Sequence, residues 1–272
     1  MLASEMFDVG GHGIVVTGGA SGIGLAITEV LSENGAQVAM FDMNQDRLAA
    51  EGARLRGLGR RVVEVRVDLT DTAAVDRAFD ETVETFGRLD SVFANAGIDP
   101  GAGLLGPDGA RDPAGAIENC DDARWLRLMD ANLHSVMRTA RSAARHMKQR
   151  GSGRIILTTS VASVRITPVA PAYSVAKAGV AHLMRSLALE LARYGILVNA
   201  IAPGPFVTNI GGGLVQQPEV QDFMARIIPL HRVGRPEEMQ GLALFLASPA
   251  SSFMTGAHIF NDGGMSIGPP ID

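Results

Sequence analysis

The sequence contains very few of several reactive side chains. Among its 272 residues one is cysteine and two are tyrosine, and the only lysines are Lys148 and Lys177. The single cysteine, Cys120, cannot form an intrachain disulfide, which fits a reducing compartment. It has no histidine beside it, so we interpret it as incidental rather than as a nucleophile. No His, Cys or carboxylate spacing suggests a metal site, and we expect no metal.

Charge and hydropathy exclude two further classes of protein. A net charge of −5 without a clustered basic face gives no sign of nucleic-acid binding. No apolar run is long enough to cross a bilayer. The first residues, MLASEMFD, lack a basic region followed by an apolar core. We therefore expect no signal peptide and a cytoplasmic location.

Short runs rich in Val and Ile alternate with amphipathic helix patterns along the whole chain. Apolar runs that do not alternate with polar residues are typical of parallel strands covered on both faces. Strands are predicted at 13–18, 36–42, 61–68, 88–97, 153–160, 196–204 and 256–264, and helices at 22–34, 44–57, 71–86, 121–149, 172–194 and 235–247. This order predicts an α/β fold, a doubly wound parallel sheet of the Rossmann type with helices on both faces, in a single domain over 1–272.

Two segments interrupt the alternation. Residues 98–121 form a connection longer than most, and residues 205–234 contain a glycine triplet and the pattern of one short helix. Both follow the carboxyl ends of strands, where open α/β sheets bind their ligands. We expect them to be substrate-loop insertions, with disordered or subunit-contact segments as the alternative.

The stretch TGGASGIG, residues 17–24, joins the first strand to the first helix. Gly18, Gly22 and Gly24 allow a tight turn, a close approach of the backbone to a pyrophosphate, and close packing of the helix on the sheet. The helix N-terminus offers free N–H groups to the phosphates. The alternative is a structural glycine-rich turn, but the position between strand and helix favours a dinucleotide site.

Asp42 ends the second predicted strand. A carboxylate at this place accepts hydrogen bonds from the adenosine ribose and repels a 2′-phosphate. No basic residue lies immediately beside it, the next being Arg47, so we favour NAD over NADP. Asp42 could also cap the second helix, and the two roles could coexist.

In AYSVAKAG, residues 172–179, one of the two tyrosines lies four residues before one of the two lysines. In a helix, Tyr173 and Lys177 would share a face, and the ammonium would lower the pKa of the phenol. A half-buried tyrosine beside a solvated lysine is the alternative. Ser160 ends a strand upstream and could reach the same edge of the sheet. Asn132 lies within a predicted helix, where asparagine is a mediocre helix former.

Together these residues resemble the short-chain dehydrogenase/reductase family, of its shorter-chain, NAD-using type, over roughly residues 8 to 264. The resemblance implies Asn132, Ser160, Tyr173 and Lys177 as the catalytic set, with Asp68 and Leu69 at the adenine. It implies Asn95, Ala96 and Gly97 beside the ribose. The full set of implied NAD-binding residues is Gly18, Ser21, Gly22, Ile23, Gly24, Asp42, Met43, Asp68, Leu69, Asn95, Ala96, Gly97, Tyr173, Lys177, Pro203, Gly204, Phe206 and Thr208.

The resemblance further implies hydride transfer between NAD and a secondary alcohol or ketone, and a homotetramer built partly on the helices at 121–149 and 172–194. Apolar segments at 161–171 and 205–210 favour a hydrophobic or cyclic substrate, while Arg165 could meet an anionic group or face water. Phe206 replaces a smaller residue that is usual in the family. A 3-oxoacyl-type carbonyl reductase is an alternative, and a catalytically inactive NAD-binding sensor is another.

Overall fold

The computed structural model describes residues 2–98, 113, 116–165, 171–209, 213 and 215–271. In this part of the chain seven strands form one parallel sheet in the order β3-β2-β1-β4-β5-β6-β7. The strands are β1 Gly13–Thr17, β2 Gln37–Asp42, β3 Arg61–Arg66, β4 Ser91–Ala94, β5 Gly153–Thr158, β6 Ile196–Pro203 and β7 His258–Asn261. The predicted α/β doubly wound sheet is confirmed. The prediction of a single domain over 1–272 stays a prediction.

Helices cover both faces of this sheet. They are α1 Ala3–Met6, α2 Gly22–Glu33, α3 Gln45–Gly57, α4 Thr72–Phe86, α5 Asp122–Met129, α6 Ser135–Arg150, α7 Pro171–Leu191, α8 Pro218–Ala225 and α9 Gln240–Ala247. One core cluster packs α4, α6 and α7 on the sheet, and a second packs α2, α3 and α9 on the opposite face. Every residue of β1 and β4 is buried, because both of their faces are covered.

Polar side chains cap several helices at their N-termini. The carboxylate of Asp71 accepts hydrogen bonds from the amides of Ala73 and Ala74 at the start of α4. At the start of α3 the capping side chain is Asn44, which accepts from the amide of Arg47. The alternative role of Asp42 as the cap of this helix is therefore wrong.

The predicted helix at 121–149 is two helices joined by a π-helical turn, Asp130–His134, that lies between α5 and α6. Such a turn contains one extra residue per turn and is frequent at functional sites. The four-residue helix α1 has no counterpart in the sequence prediction.

The chain reverses its winding direction between β1 and β4, which are neighbours in the sheet. Connections leave these two strands toward opposite sides, so a crevice opens at their carboxyl ends. Segment 205–234 borders this edge and contains the predicted short helix, α8. Most of segment 98–121 lies outside the described residues.

Among the described helices, none is both long and apolar enough to cross a lipid bilayer. In the same part of the chain, no group of three or more His, Cys, Asp or Glu side chains lies close enough together to bind a metal ion.

Candidate active site

The loop between β1 and α2 is shaped by glycines. Gly18 and Gly22 have φ angles of +66° and +52°, which residues with a Cβ rarely adopt. A Cβ at Gly24 would lie 2.0 Å from the carbonyl oxygen of Gly18. Ser21 is the N-cap of α2, and its side chain makes no capping hydrogen bond to the residues described. The first amides of α2 are therefore available to an anionic group, and the loop fits a dinucleotide pyrophosphate. Ile23 packs on the core beneath it.

Asp42 lies at the carboxyl end of β2, beside this loop. Its Oδ1 accepts from the amide of Asn44 at 3.0 Å and its Oδ2 from the amide of Ala20 at 3.4 Å. These two bonds fix the carboxylate while leaving it partly exposed to the crevice. Met43, which follows, is 64% exposed. Both residues lie where the sequence places the adenosine end of NAD.

Asp68 and Leu69 follow β3 at the same edge. The Oδ1 atom of Asp68 accepts from the amide and the hydroxyl of Thr70 at 2.9 and 2.8 Å, so the turn holds its own acidic side chain in place. Leu69 packs against the core cluster under α4, α6 and α7. The structure thus brings the two predicted adenine residues to the rim of the crevice.

Thr17 ties the glycine-rich loop to the segment after β4. Its Oγ1 accepts from the amides of Asn95 and Ala96 at 2.9 and 3.0 Å, and its carbonyl oxygen accepts from Asn95 Nδ2 at 3.2 Å. A Cβ at Gly97 would lie only 2.7 Å from Asn132 Oδ1, so a side chain there would push Asn132 away. These contacts place Asn95, Ala96 and Gly97 between the glycine-rich loop and α7.

Lys177 and Tyr173 lie on one face of α7, as their spacing predicts. Lys177 is 3% exposed, and its Nζ donates a hydrogen bond to the carbonyl oxygen of Thr158 at 3.0 Å. The same Nζ lies 5.7 Å from the centre of the Tyr173 ring. Burial lowers the pKa of Lys177 from 10.5 to about 8, because the protonated form loses its hydration. At neutral pH the side chain remains mostly an ammonium ion next to the phenol. The alternative of a solvated lysine is wrong.

Ser160 follows β5 and begins a short 3₁₀ helix, Val161–Ser163, at the edge of the crevice. Its Oγ accepts from the amide of Ala162 at 3.2 Å, an arrangement that keeps the hydroxyl hydrogen free to donate. The preceding residue, Thr159, is buried and contacts the carbonyl oxygen of Ile201 at 2.9 Å and His258 Nε2 at 2.8 Å. Thr159 therefore belongs to the sheet rather than to the crevice.

Asn132 lies in the π-helical turn and is completely buried. Its Nδ2 donates to the carbonyl oxygen of Leu128 at 3.1 Å, and its Oδ1 accepts from the amide of Ile98 at 3.2 Å. The amide side chain thus ties the turn to the end of the β4 loop. A Cβ atom built on Gly97 would lie 2.7 Å from Asn132 Oδ1 and 3.6 Å from Lys177 Nζ.

After β6, Pro203 and Gly204 turn the chain under the crevice. A Cβ at Gly204 would lie 2.7 Å from the Cα of Asp262. Phe206 is buried and packs in the core cluster of α2 and α9. It forms a bridge with Gly234 whose hydrogen bonds use the amides of Val207 and Gly234. The amide of Phe206 itself takes no part in that bridge. Thr208 lies opposite Gly22, whose Cβ would meet it at 3.3 Å.

Two residues of this arrangement were not among the predicted site residues. Thr158 supplies the carbonyl oxygen that holds Lys177, and its Oγ1 donates to Asn95 Oδ1 at 3.3 Å. Thr17 holds the segment after β4. Thr17 is the first residue of the motif TGGASGIG, so the sequence could have indicated its role. Thr158 acts through its main-chain carbonyl, which every residue type has, so the sequence could not have indicated that role.

The burial of Lys177 makes the stability of the protein depend on pH. Between about pH 8 and 10.5 the unfolded chain binds more protons at Lys177 than the folded chain, so the free energy of unfolding rises with pH. Relative to Lys177→Met, the wild-type free energy of unfolding should rise by about 2 kcal/mol between roughly pH 7 and pH 9.5. Urea unfolding at the two pH values measures this difference. Lys148→Met is the control, because the Lys148 side chain is 35% exposed. The wild type compared with Lys148→Met should not show this rise. A rise as large as that against Lys177→Met would contradict the assignment of the effect to Lys177.

Residues 18–266 match the family model described as enoyl-(acyl carrier protein) reductase. Cis-4-hydroxycyclohexanecarboxylate dehydrogenase of Sinomonas cyclohexanicum is 40% identical over 92% of this chain and 94% of that protein. 3β-Hydroxysteroid dehydrogenase 2 of Eggerthella lenta is 36% identical over 94% of this chain and 95% of that protein.

Among solved structures, a gluconate 5-dehydrogenase from Burkholderia cenocepacia J2315, crystallised with NADP and tartrate, superimposes with a TM-score of 0.87. It is 34% identical and covers 97% of this chain and 99% of its own. The chain belongs to the short-chain dehydrogenase/reductase family. It is an oxidoreductase of the short-chain type that interconverts a secondary alcohol and a ketone with NAD or NADP.

Proposed function

We propose that the protein oxidises a hydrophobic or cyclic secondary alcohol with NAD, or reduces the corresponding ketone with NADH. The observation that carries this proposal is the environment of Lys177. A cation that is 3% exposed is anchored to the Thr158 carbonyl and lies beside Tyr173. Burying a charge is costly unless it is paired or hydrogen-bonded, and groups with strongly perturbed pKa values cluster at functional sites.

Four side chains would carry out the proton chemistry. Tyr173 takes the proton of the substrate hydroxyl during oxidation and returns it during reduction. Ser160 donates a hydrogen bond to the substrate oxygen, where charge develops. Lys177 holds the pKa of Tyr173 down through its charge and binds the nicotinamide ribose. Asn132, whose Oδ1 lies near Gly97 together with Lys177 Nζ, would hold a water that connects Lys177 to solvent.

The dinucleotide would lie along the crevice, with its nicotinamide ring accepting or supplying the hydride. Gly18, Ser21, Gly22, Ile23 and Gly24 would hold the pyrophosphate. The adenosine end would meet Asp42, Met43, Asp68 and Leu69. The nicotinamide half would lie against Asn95, Ala96, Gly97, Tyr173, Lys177, Pro203, Gly204, Phe206 and Thr208.

Asp42 favours NAD over NADP. Its carboxylate is fixed by two backbone amides and lies where the ribose hydroxyls of adenosine would bind. A carboxylate accepts hydrogen bonds from both hydroxyls and repels the 2′-phosphate of NADP. The related gluconate 5-dehydrogenase binds NADP, so this choice is specific to the residues of each chain rather than to the fold.

An apolar cluster beside Ser160 supports a hydrophobic or cyclic substrate. Val161, Ile228, Val233 and Met265 are its buried members, and they bring the segment after β5 together with segment 205–234 and the chain after β7. Two relatives are named for cyclic substrates, a hydroxycyclohexanecarboxylate and a 3β-hydroxysteroid. We propose a carbocyclic secondary alcohol for this chain as well.

We further propose that the protein is a cytoplasmic homotetramer that uses its long helices as subunit contacts. Leu126 on α5 and Val175 and Leu189 on α7 are 64%, 48% and 85% exposed. Large apolar side chains on neighbouring helices would be buried by a second copy. The single cysteine is the reason for assigning a reducing compartment.

The function is tested by following nicotinamide absorbance with purified protein and a panel of substrates. The panel contains cyclohexanol, 4-hydroxycyclohexanecarboxylate, a 3β-hydroxysteroid, gluconate and a 3-oxoacyl thioester, each with both coenzymes. We expect the highest kcat/KM for a carbocyclic alcohol with NAD. Preference for the thioester with NADPH would favour the 3-oxoacyl reductase alternative. Binding of NAD without turnover of any alcohol or ketone would contradict the proposal.

A further inference from the structure

The chain after β7 folds into a compact turn, Asp262–Gly268, which we call the C-terminal turn. The two carboxylate oxygens of Asp262 accept from the amides of Gly264 and Ser266 at 2.9 and 2.7 Å. The amides of Met265 and Ile267 donate to the carbonyl oxygens of Asp262 and Gly264 at 3.2 and 3.1 Å. These hydrogen bonds hold the turn in a defined shape of its own. A displacement on one side of the turn would therefore shift the residues on its other side as well.

On one side the C-terminal turn packs closely against the end of segment 205–234. The carbonyl oxygen of Gly263 accepts from the amide of Leu230 at 3.1 Å. A Cβ at Gly263 would lie 2.7 Å from Ile228 Cγ2, and a Cβ at Gly264 would lie 3.1 Å from the ring of Pro229. Both glycines have positive φ angles, +64° and +88°. Only glycine fits this contact without strain.

On its other side the C-terminal turn is held by Arg165, five residues after Ser160. Nη1 of Arg165 donates to the carbonyl oxygens of Met265 and, at 3.4 Å, of Gly268. The side chain of Met265 is 4% exposed and shares one apolar cluster with Val161, which follows Ser160 directly, and with Ile228. The turn therefore joins the segment that carries Ser160 to segment 205–234.

We propose that Arg165 is a positioning residue for the substrate, which it serves through the C-terminal turn. By fixing Met265 and Gly268, its guanidinium sets how Val161 and Ile228 pack together in the apolar cluster beside Ser160. A charged donor on main-chain carbonyls makes a strong and directional hydrogen bond. Because Nη1 donates to these two carbonyl oxygens, the charge of Arg165 interacts with the main chain of the protein itself. This inference rests on the proposed function, because it assigns the apolar cluster beside Ser160 to substrate binding.

The contact predicts an effect on KM that is separate from kcat. Arg165→Met keeps the aliphatic length and removes the donor. We expect KM for the alcohol to rise about tenfold, as loss of a charged hydrogen bond would suggest. The kcat value and the dissociation constant of NAD should change less than about twofold, because Arg165 touches neither the proton-transfer residues nor the glycine-rich loop. Arg165→Lys keeps a cationic donor, so its KM should lie much closer to the wild-type value than that of Arg165→Met.

Arg61→Met serves as the matched control, since Arg61 is exposed on β3 at the far edge of the sheet. Hydrogen exchange of the intact protein supplies a measurement independent of catalysis. The amides of Leu230, Met265 and Ile267 should exchange faster in Arg165→Met than in the wild type, and Arg61→Met should leave them unchanged. An unchanged KM, or unchanged exchange, would overturn the role of Arg165. A third outcome separates the two proposals. If the three amides exchange faster in Arg165→Met but the wild-type protein turns over no alcohol, the proposed function alone is refuted.

Discussion

Replacing Tyr173 by phenylalanine should lower kcat by about a thousandfold or more while NAD still binds. The phenol is the only group placed to exchange a proton with the substrate oxygen in our mechanism, and general acid–base catalysis contributes about 10²- to 10⁴-fold. Phenylalanine keeps the ring and loses only the hydroxyl. The fold of α7 and the dissociation constant of NAD should therefore be preserved. Initial rates with a carbocyclic alcohol and a fluorescence titration with NADH measure the two quantities.

Tyr194→Phe is a demanding control for this experiment. Tyr194 also has a lysine over its ring, with Lys148 Nζ 4.9 Å from the ring centre, and Arg193 lies 4.6 Å from it. This second tyrosine–lysine pair lies at the ends of α6 and α7 that face away from the crevice. Its loss should leave kcat unchanged. Activity retained in Tyr173→Phe would remove the proton-transfer role of Tyr173.

Replacing Asp42 by alanine should weaken the binding of NAD and relax the discrimination against NADP. We expect NAD to bind about tenfold more weakly, because hydrogen bonds from the ribose to a charged acceptor are lost. The KM for NADP should fall, since the carboxylate no longer repels the 2′-phosphate. Values of kcat/KM with both coenzymes, measured at one ionic strength, give the ratio directly.

Asp46→Ala controls for the loss of one acidic residue in the same region, because Asp46 is exposed in the first turn of α3. It should leave the coenzyme ratio unchanged. If Asp42→Ala keeps the wild-type preference for NAD, the assignment of Asp42 to the ribose is wrong.

The apolar pattern of the sequence was sufficient to locate all seven strands and their parallel arrangement. The predicted carboxyl ends lie too far along the chain for every strand except β2, which ends at Asp42 as predicted. The predicted strand at 153–160 ends at Thr158, and the one at 88–97 spans only Ser91–Ala94. Several of these extra residues belong to the candidate site: Ser160 lies just after β5, and Asn95 to Gly97 follow β4. Their side chains are compatible with a strand, but they lie beyond the point where the neighbouring strand still pairs with them.

The residue types of the site could be read from the sequence, whereas their mutual contacts could not. The spacing of Tyr173 and Lys177 predicts a shared helix face because helical geometry is local. The acceptor of Lys177 is a main-chain carbonyl on β5, and any residue type could have supplied it. The π-helical turn at Asn132 likewise depends on the amide of Ile98 from a distant loop. Arg165 was left between an anionic partner and water, because its carbonyl partners lie about a hundred residues away in sequence.

The burial of Lys177 also determines how the protein can be modified chemically. The only other lysine, Lys148, is 35% exposed near the end of α6, at the edge of the sheet where the strands begin. Amine-directed reagents thus meet one accessible side chain, and it lies on the opposite side from the coenzyme crevice. A dye or a solid support attached through Lys148 would leave the entrance to the crevice unobstructed.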